Sequence, residues 1–213
     1  MKTGILFDLD GTLLNTLEDL TNSVNYALQQ HGCPQRSPME VRSYLGNGAK
    51  KLIASALPEG SDEALLTEVF ATYLAYYGEH SQIKTRPYDG ILEALAELRK
   101  EFPIAVVSNK PDSSTKPLCK KFFGEEIYAL GEASDCPRKP APDMLYRAMA
   151  AIGVDTCIYV GDSEVDVLTA KNAGVKCLSV LWGFRDKDML AENGASYFCD
   201  DPKNLPQAIQ QML

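Results

Sequence analysis

The chain has 213 residues, 45% of them hydrophobic and 23% charged, which is enough apolar material for one large domain or two modest ones and too much for general disorder. With 29 acidic against 21 basic residues the formal charge is −8, a balance that argues against nucleic acid and anionic membrane surfaces as partners. No apolar stretch has the length of a membrane span, and Met1-Lys2-Thr3 leads straight into a short apolar segment broken by Asp8 and Asp10, which fits neither a signal peptide nor a transmembrane helix. The six cysteines are scattered without a C-x-x-C pair and read as reduced thiols, so a cytoplasmic location is expected.

In chain order, Gly4-Ile5-Leu6-Phe7 is an apolar run with an abrupt polar end, the pattern of a strand buried on both faces. From Thr16 to about residue 82 the pattern is helical. Thr16-Leu17-Glu18-Asp19 resembles a capping box ahead of the stripe Leu17, Leu20, Val24 and Leu28, which stops at Gly32. Ser37-Pro38-Met39-Glu40 is a second box with proline at the first helical position, and Ser61-Asp62-Glu63 opens a third segment carrying Leu65, Val69, Tyr73 and Tyr76. Tyr73, Tyr76 and Tyr77 read as packing residues. Thereafter strands and helices alternate. Asp89 caps a helix through Ile91, Leu95 and Leu98, and strand-like runs follow at Ile104–Val107, Cys157–Val160 and Val175–Val180. Helices open at Pro142 and Ser163 and end near Gly153 and Gly174. Alternation of this kind predicts an α/β fold, a Rossmann-like doubly wound parallel sheet with helices on both faces. A small helical domain, residues 15–82, is inserted after the first strand, and residues 1–14 and 83–213 form a discontinuous core.

Asp8 and Asp10 stand where the first strand ends. Residues two apart in an extended chain point the same way, so both carboxylates can face one cavity, and Gly11 lets the chain turn closely around its contents. Asp-x-Asp-Gly is also a common turn held by its own side chains. The later strand ends weigh against that reading, because ligands of parallel sheets bind beyond the carboxyl ends of strands. There the chain presents Ser108 and Asn109, then Gly161-Asp162-Ser163-Glu164-Val165-Asp166, with Lys139-Pro140 between them; a lysine before proline is biased toward an extended conformation that can reach the same crevice.

These segments, Asp8-Leu9-Asp10-Gly11-Thr12-Leu13, Ser108-Asn109-Lys110, Lys139-Pro140 and Gly161-Asp162-Ser163-x-x-Asp166, resemble in order the four motifs of the haloacid dehalogenase-like superfamily. The insert resembles that superfamily's small helical cap. Gly46-Asn47-Gly48 and Ser108-Asn109-Lys110-Pro111, together with Gly161 to Asp166, make the chain similar to bacterial phosphoglycolate phosphatases. Asn15 stands where many such relatives carry aspartate. The resemblance implies Asp8 as nucleophile and Asp10 as general acid and base. It implies Ser108, Asn109 and Lys139 as holders of the phosphoryl oxygens. A Mg²⁺ would be bound by the Asp8 carboxylate, the Asp10 backbone carbonyl and Asp162, with Asp166 steadying it from the outer layer.

Charge counting points to the metal independently. Four carboxylates against Lys139 would repel a phosphate dianion unless a divalent cation were present, and an oxygen-only donor set favours Mg²⁺ over zinc. The two histidines, His31 and His80, lie in or near the insert and read as structural. The expected substrate is a small phosphorylated metabolite, 2-phosphoglycolate first, chosen by the insert. There Gly46-Asn47-Gly48-Ala49 starts a helix followed by Lys50 and Lys51, and the insert would hinge near Asn15 and near Pro87 to Gly90. Pyrophosphate or sugar phosphates, a β-phosphoglucomutase-like phosphomutase, a dehalogenase and a non-catalytic binding protein are the alternatives. The expected assembly is a monomer or homodimer. Arg185, in Trp182-Gly183-Phe184-Arg185, reads as bracing a loop.

Overall fold

The computed structural model describes residues 1–213 and divides into two compact units, Met1–Asn15 with Pro87–Leu213, and Thr16–Arg86. In the first unit β1 (Thr3–Phe7) stands at the centre of a six-stranded sheet; the short β2 (Leu14–Asn15) and β3 (Arg86–Pro87) bracket the insert in the chain. The remaining strands are β4 (Ile104–Pro111), β5 (Tyr128–Glu132), β6 (Thr156–Gly161), β7 (Lys176–Val180) and β8 (Tyr197–Cys199), in the order β5-β4-β1-β6-β7-β8 with every pairing parallel. The chain builds outward from β1 through β4 to β5, then returns to the other side of β1 for β6 to β8. That reversal puts a crevice at the carboxyl ends of β1, β4 and β6, where open α/β sheets bind ligands.

The period of two is visible in the core. Ile5 and Phe7, Ile104 and Val106, and Ile158 and Val160 face one way. They pack with Ile91 and Leu95 of α5 (Ile91–Leu98), Leu118 and Phe123 of α6 (Asp112–Phe123), and Leu205 and Ile209 of α10 (Leu205–Gln210). Leu6, Ala105, Val107, Cys157 and Tyr159 face the other way, against Met144, Leu145 and Ala148 of α7 (Asp143–Ile152) and Ala170 of α8 (Glu164–Ala173). A last helix, α9 (Lys187–Glu192), lies between β7 and β8 in the chain.

The second unit holds α1 (Leu17–Gln30), α2 (Pro38–Tyr44), α3 (Ala49–Ala56) and α4 (Glu63–His80), with α1 packed on α4. Tyr73 and Tyr77 are buried there, while Tyr76 stacks between Tyr26 at 3.9 Å and His80 at 3.8 Å. Ser37 and Glu40 form the expected reciprocal box, Glu40 Oε2 accepting from the Ser37 amide at 2.7 Å. Thr16 makes no such cap. Asp19, the residue read as its partner, is buried and accepts from the backbone amides of Ile83, Lys84 and Thr85. The third segment is capped by Asp62, which accepts from the Leu65 amide, and α5 starts from left-handed Gly90 in place of Asp89. No helix is long and apolar enough to cross a membrane, and all six cysteines are unpaired.

Candidate active site

The carboxyl ends of β1, β4 and β6 bring the predicted polar residues into one buried cluster within the first unit. Asp8 continues the parity of Leu6 on β1 and so lies on the same face as Tyr159 of β6. Lys139 Nζ, almost entirely buried, donates to Asp8 Oδ1, Asp166 Oδ1 and the Tyr159 hydroxyl, each at 2.8 Å. Its three protons are thereby committed to three oxygens. Tyr159 in turn donates to Asp166 Oδ1 at 2.9 Å.

Lys139 is held in place from β4. Asn109 Nδ2 donates to the Lys139 carbonyl and the Lys139 amide donates to Asn109 Oδ1, both at 2.9 Å. Asn109, expected to face a phosphoryl group, gives one Nδ2 proton and its Oδ1 to the backbone of the lysine. Ser108 is buried, with its Oγ accepting from the Lys110 amide at 3.2 Å.

Asp162 and Asp166 sit at the turn from β6 into α8. Ser163 caps the helix and Asp166, at its third position, closes the box: Asp166 Oδ2 accepts from the Ser163 amide at 3.1 Å and its hydroxyl at 2.6 Å. A Cβ at Gly161 would collide with Asp166, so glycine there lets the carboxylate fold back under the strand end. Asp162 accepts from Thr12 Oγ1 at 3.1 Å and from the Phe184 amide at 2.7 Å. Gly11, at φ +86°, and Gly183 both pass so close to the Asp162 carboxylate that a Cβ on either would strike it. Trp182 Nε1 ties this loop to the first by donating to the Thr12 carbonyl at 2.9 Å. Arg185 braces the loop through Glu164, Nε to Oε2 at 2.8 Å.

One oxygen from each of Asp8, Asp162 and Asp166 lies within 4.8 Å of the others. Burial, and then the charges of Asp8 and Asp166, hold the Asp162 carboxyl well above its ordinary value. Burial also raises Asp8 to about 7 against the opposing pull of Lys139. Asp166 lies below its ordinary value: burial pushes it up, but the Lys139 charge and the bonds from Lys139, Ser163 and Tyr159 outweigh that. The same two carboxylates raise Lys139 despite its burial.

These shifts describe a cluster short of positive charge, and sequence reasoning missed one of its cations. Lys110, buried, places Nζ 2.7 Å from Asp10 Oδ2. Four carboxylates against Lys139 and Lys110 then leave two formal negative charges, the complement of one divalent cation. The donor set is oxygen alone, with no histidine or cysteine, as hard cations require. Asp8 and Asp162 have lone pairs to spare, whereas both oxygens of Asp166 are already occupied by Lys139, Tyr159 and Ser163. A metal therefore fits Asp8 and Asp162 as direct ligands and Asp166 as their outer support.

The model of the haloacid dehalogenase-like hydrolases matches residues 5–180. The chain belongs to that family. It is a phosphatase of the family, with relatives of more than one specificity. A phosphoglycolate phosphatase of Neisseria meningitidis is 32% identical over 201 residues, which cover 90% of this chain and 86% of that protein. An N-acetylmuramic acid 6-phosphate phosphatase of Pseudomonas aeruginosa is 31% identical over 215 residues, covering 98% and 95%. A crystal structure from Lactobacillus delbrueckii subsp. bulgaricus, provisionally named a phosphoglycolate phosphatase, superposes with a TM-score of 0.91 at 36% identity, over 98% of this chain and 99% of that one.

Proposed function

We propose that the protein hydrolyses small phosphate monoesters in two steps, with 2-phosphoglycolate as the leading substrate and Mg²⁺ as the metal. The observation that carries the reading is the Lys139 ammonium bridging Asp8 and Asp166 at 2.8 Å beside Asp162. Such an arrangement favours the ionised, nucleophilic form of Asp8 and opposes the burial that raises its carboxyl.

In the first step an Asp8 oxygen attacks phosphorus, the ester P–O bond breaks, and its electron pair goes to the leaving oxygen, which takes a proton from Asp10. In the second step Asp10 accepts a proton from water as the water oxygen attacks phosphorus, and the aspartyl phosphate bond breaks back to the Asp8 carboxylate. Ser108 holds an equatorial oxygen, Lys139 turns the proton it gives Asp8 toward a second one when the ester binds, and Asn109 serves by fixing the Lys139 backbone. Asp8, Asp162 and the Asp10 carbonyl would hold the Mg²⁺, which supplies electrostatic stabilisation of the transferring phosphoryl group. Asp166 keeps Lys139 and the start of α8 in register. The core residues handle only the phosphoryl group, so the choice of alcohol is assigned to the inserted helical domain.

The phosphoglycolate reading is favoured by the Neisseria relative, and the Pseudomonas relative makes a sugar-acid phosphate the second reading. The test is phosphate release from 2-phosphoglycolate, N-acetylmuramic acid 6-phosphate, other sugar phosphates and pyrophosphate, with Mg²⁺ and with EDTA. Metal-dependent turnover led by 2-phosphoglycolate supports the full reading. A different leading ester keeps the mechanism and replaces the substrate. Transfer to a sugar phosphate in preference to water favours the phosphomutase.

A further inference from the structure

The two oxygens of the Asp10 carboxylate are in different situations. Oδ2 accepts from Lys110 Nζ at 2.7 Å, whereas Oδ1 is buried and has no hydrogen-bond partner. A buried acceptor left without a donor is destabilising, so an arrangement that keeps one invites a functional explanation. We propose that Lys110 is a positioning residue for proton transfer: it pins Asp10 by Oδ2 and so holds Oδ1 as the oxygen that gives its proton to the leaving group.

The lysine is built for a fixed geometry. Its side chain is 3% exposed, which confines the stem. Its backbone is held on both sides, the amide donating to Ser108 Oγ at 3.2 Å and the carbonyl accepting from Thr115 Oγ1 at 3.1 Å. The strand itself is distorted here. Between Val107 and Pro111 the pairing with β5 slips, four residues of β4 advancing against two of β5. A regular strand sends consecutive side chains to opposite faces, and an irregularity re-aims them. In this one, Asn109 reaches the Lys139 backbone while Lys110, the next residue, reaches Asp10. One distorted strand end therefore sets both the lysine beside the nucleophile and the carboxylate that handles the proton.

The proposal rests on Asp10 being the general acid, and the experiment separates the two. In the first step the breaking P–O bond leaves its electron pair on the ester oxygen. An alkoxide needs the Asp10 proton, whereas p-nitrophenolate is stable without it. Single-turnover release of the leaving group is measured for p-nitrophenyl phosphate and for the alkyl ester that the wild type turns over best, with Asp10→Asn, Lys110→Met and Lys110→Arg. The expected result is a loss of about 10²-fold for Lys110→Met on the alkyl ester, within the range of acid–base contributions. On p-nitrophenyl phosphate the loss is expected to be only a few-fold. Lys110→Arg, which keeps the cation, recovers most of the difference. Equal losses on both esters, or none on either, overturn the proposal while Asp10→Asn still discriminates between them. If Asp10→Asn also fails to discriminate, the acid assignment fails and the proposal falls with it. Lys110→Gln carries the same prediction at smaller amplitude should Lys110→Met fail to fold.

Discussion

Asn109 and Lys139, 30 positions apart, hold each other through two reciprocal bonds of 2.9 Å between one side-chain amide and one backbone unit. The pair converts the end of β4 into a bracket for the loop that carries the buried lysine. Asn109→Ala leaves the Lys139 amide and carbonyl without these partners, at about 1–3 kcal/mol for each buried group left unsatisfied. Urea denaturation should show that loss. Turnover should fall at least about tenfold, since small misplacements of catalytic groups are costly. A variant with wild-type stability and turnover would show that the bracket is idle.

Replacing Asp8 by Asn keeps size and removes the carboxylate proposed as nucleophile. Phosphate release is expected to vanish while the circular dichroism spectrum and a cooperative melt persist. Turnover at the wild-type rate in a clean preparation would remove Asp8 from the mechanism.

The cluster also predicts how metal and pH act on stability. Burial raises the folded Asp8 to about 7 and holds Asp162 well above its ordinary value, so the folded protein favours their neutral forms. That contribution is complete below the ordinary carboxylate range and shrinks as pH rises, the Asp8 part levelling off above about 7 and the Asp162 part continuing. Asp166 is shifted the other way, but its contribution is lost only below the ordinary carboxylate range, outside the interval that matters here. In EDTA the melting temperature should therefore fall between pH 6 and pH 8. Mg²⁺ held as proposed would need these carboxylates ionised, so its stabilisation should be greater at pH 8, about 2.7 kcal/mol at a hundred times its dissociation constant. A Mg²⁺ effect that is absent, or equal at both pH values, would contradict direct ligation by Asp8 and Asp162.

The parts of this molecule that a reader of the sequence can find are those set by neighbours in the chain. Ile5 to Phe7 and Ile158 to Val160 announce strands by apolar continuity, and Asp8 and Asp10 share a face because they are two apart. Ser163 and Asp166 stand three positions apart, the spacing of a capping box. The hidden parts are set by distant partners. Lys110 looks like any polar residue following Ser108-Asn109 until the slipped register of β4 turns it toward Asp10, 100 positions earlier. Asn109 is an amide at a strand end, and only the fold gives it Lys139. β5 and β8 escape because Tyr128-Ala-Leu-Gly-Glu and Tyr197-Phe-Cys are short and compositionally mixed. Asp19 misleads outright, since its spacing from Thr16 imitates a cap while its carboxylate serves amides more than 60 positions away.

Asp19 yields a stability prediction for the helical unit. Its two oxygens take all three amides of Ile83, Lys84 and Thr85 at 2.8–3.1 Å, so one buried carboxylate organises the end of the insert. Bonds to a charged acceptor contribute about 1.5–3 kcal/mol. Asp19→Ala should lower the melting temperature and speed hydrogen exchange at residues 83–85 first, with Asp19→Asn intermediate. Unchanged exchange at those amides would show that solvent replaces the carboxylate without cost.

Gly183 isolates the part of the proposed metal site that depends on space rather than charge. Its backbone lies outside the left-handed region, so alanine suffers no conformational strain there, but the new Cβ would collide with the Asp162 carboxylate. Gly11 meets the same carboxylate and in addition holds φ at +86°, so Gly11→Ala carries both penalties. The expected order is therefore a folded Gly183→Ala with weakened metal binding, and a Gly11→Ala that loses stability as well. Disturbing the groups around a metal ligand typically costs 10–100-fold in affinity, so the Mg²⁺ concentration giving half-maximal turnover should rise by about that factor in Gly183→Ala. The companion readout is the Mg²⁺-induced shift in melting temperature, which should shrink in parallel. If Gly183→Ala binds Mg²⁺ as the wild type does, Asp162 has room to move without consequence, and its place among the direct ligands would have to be given up.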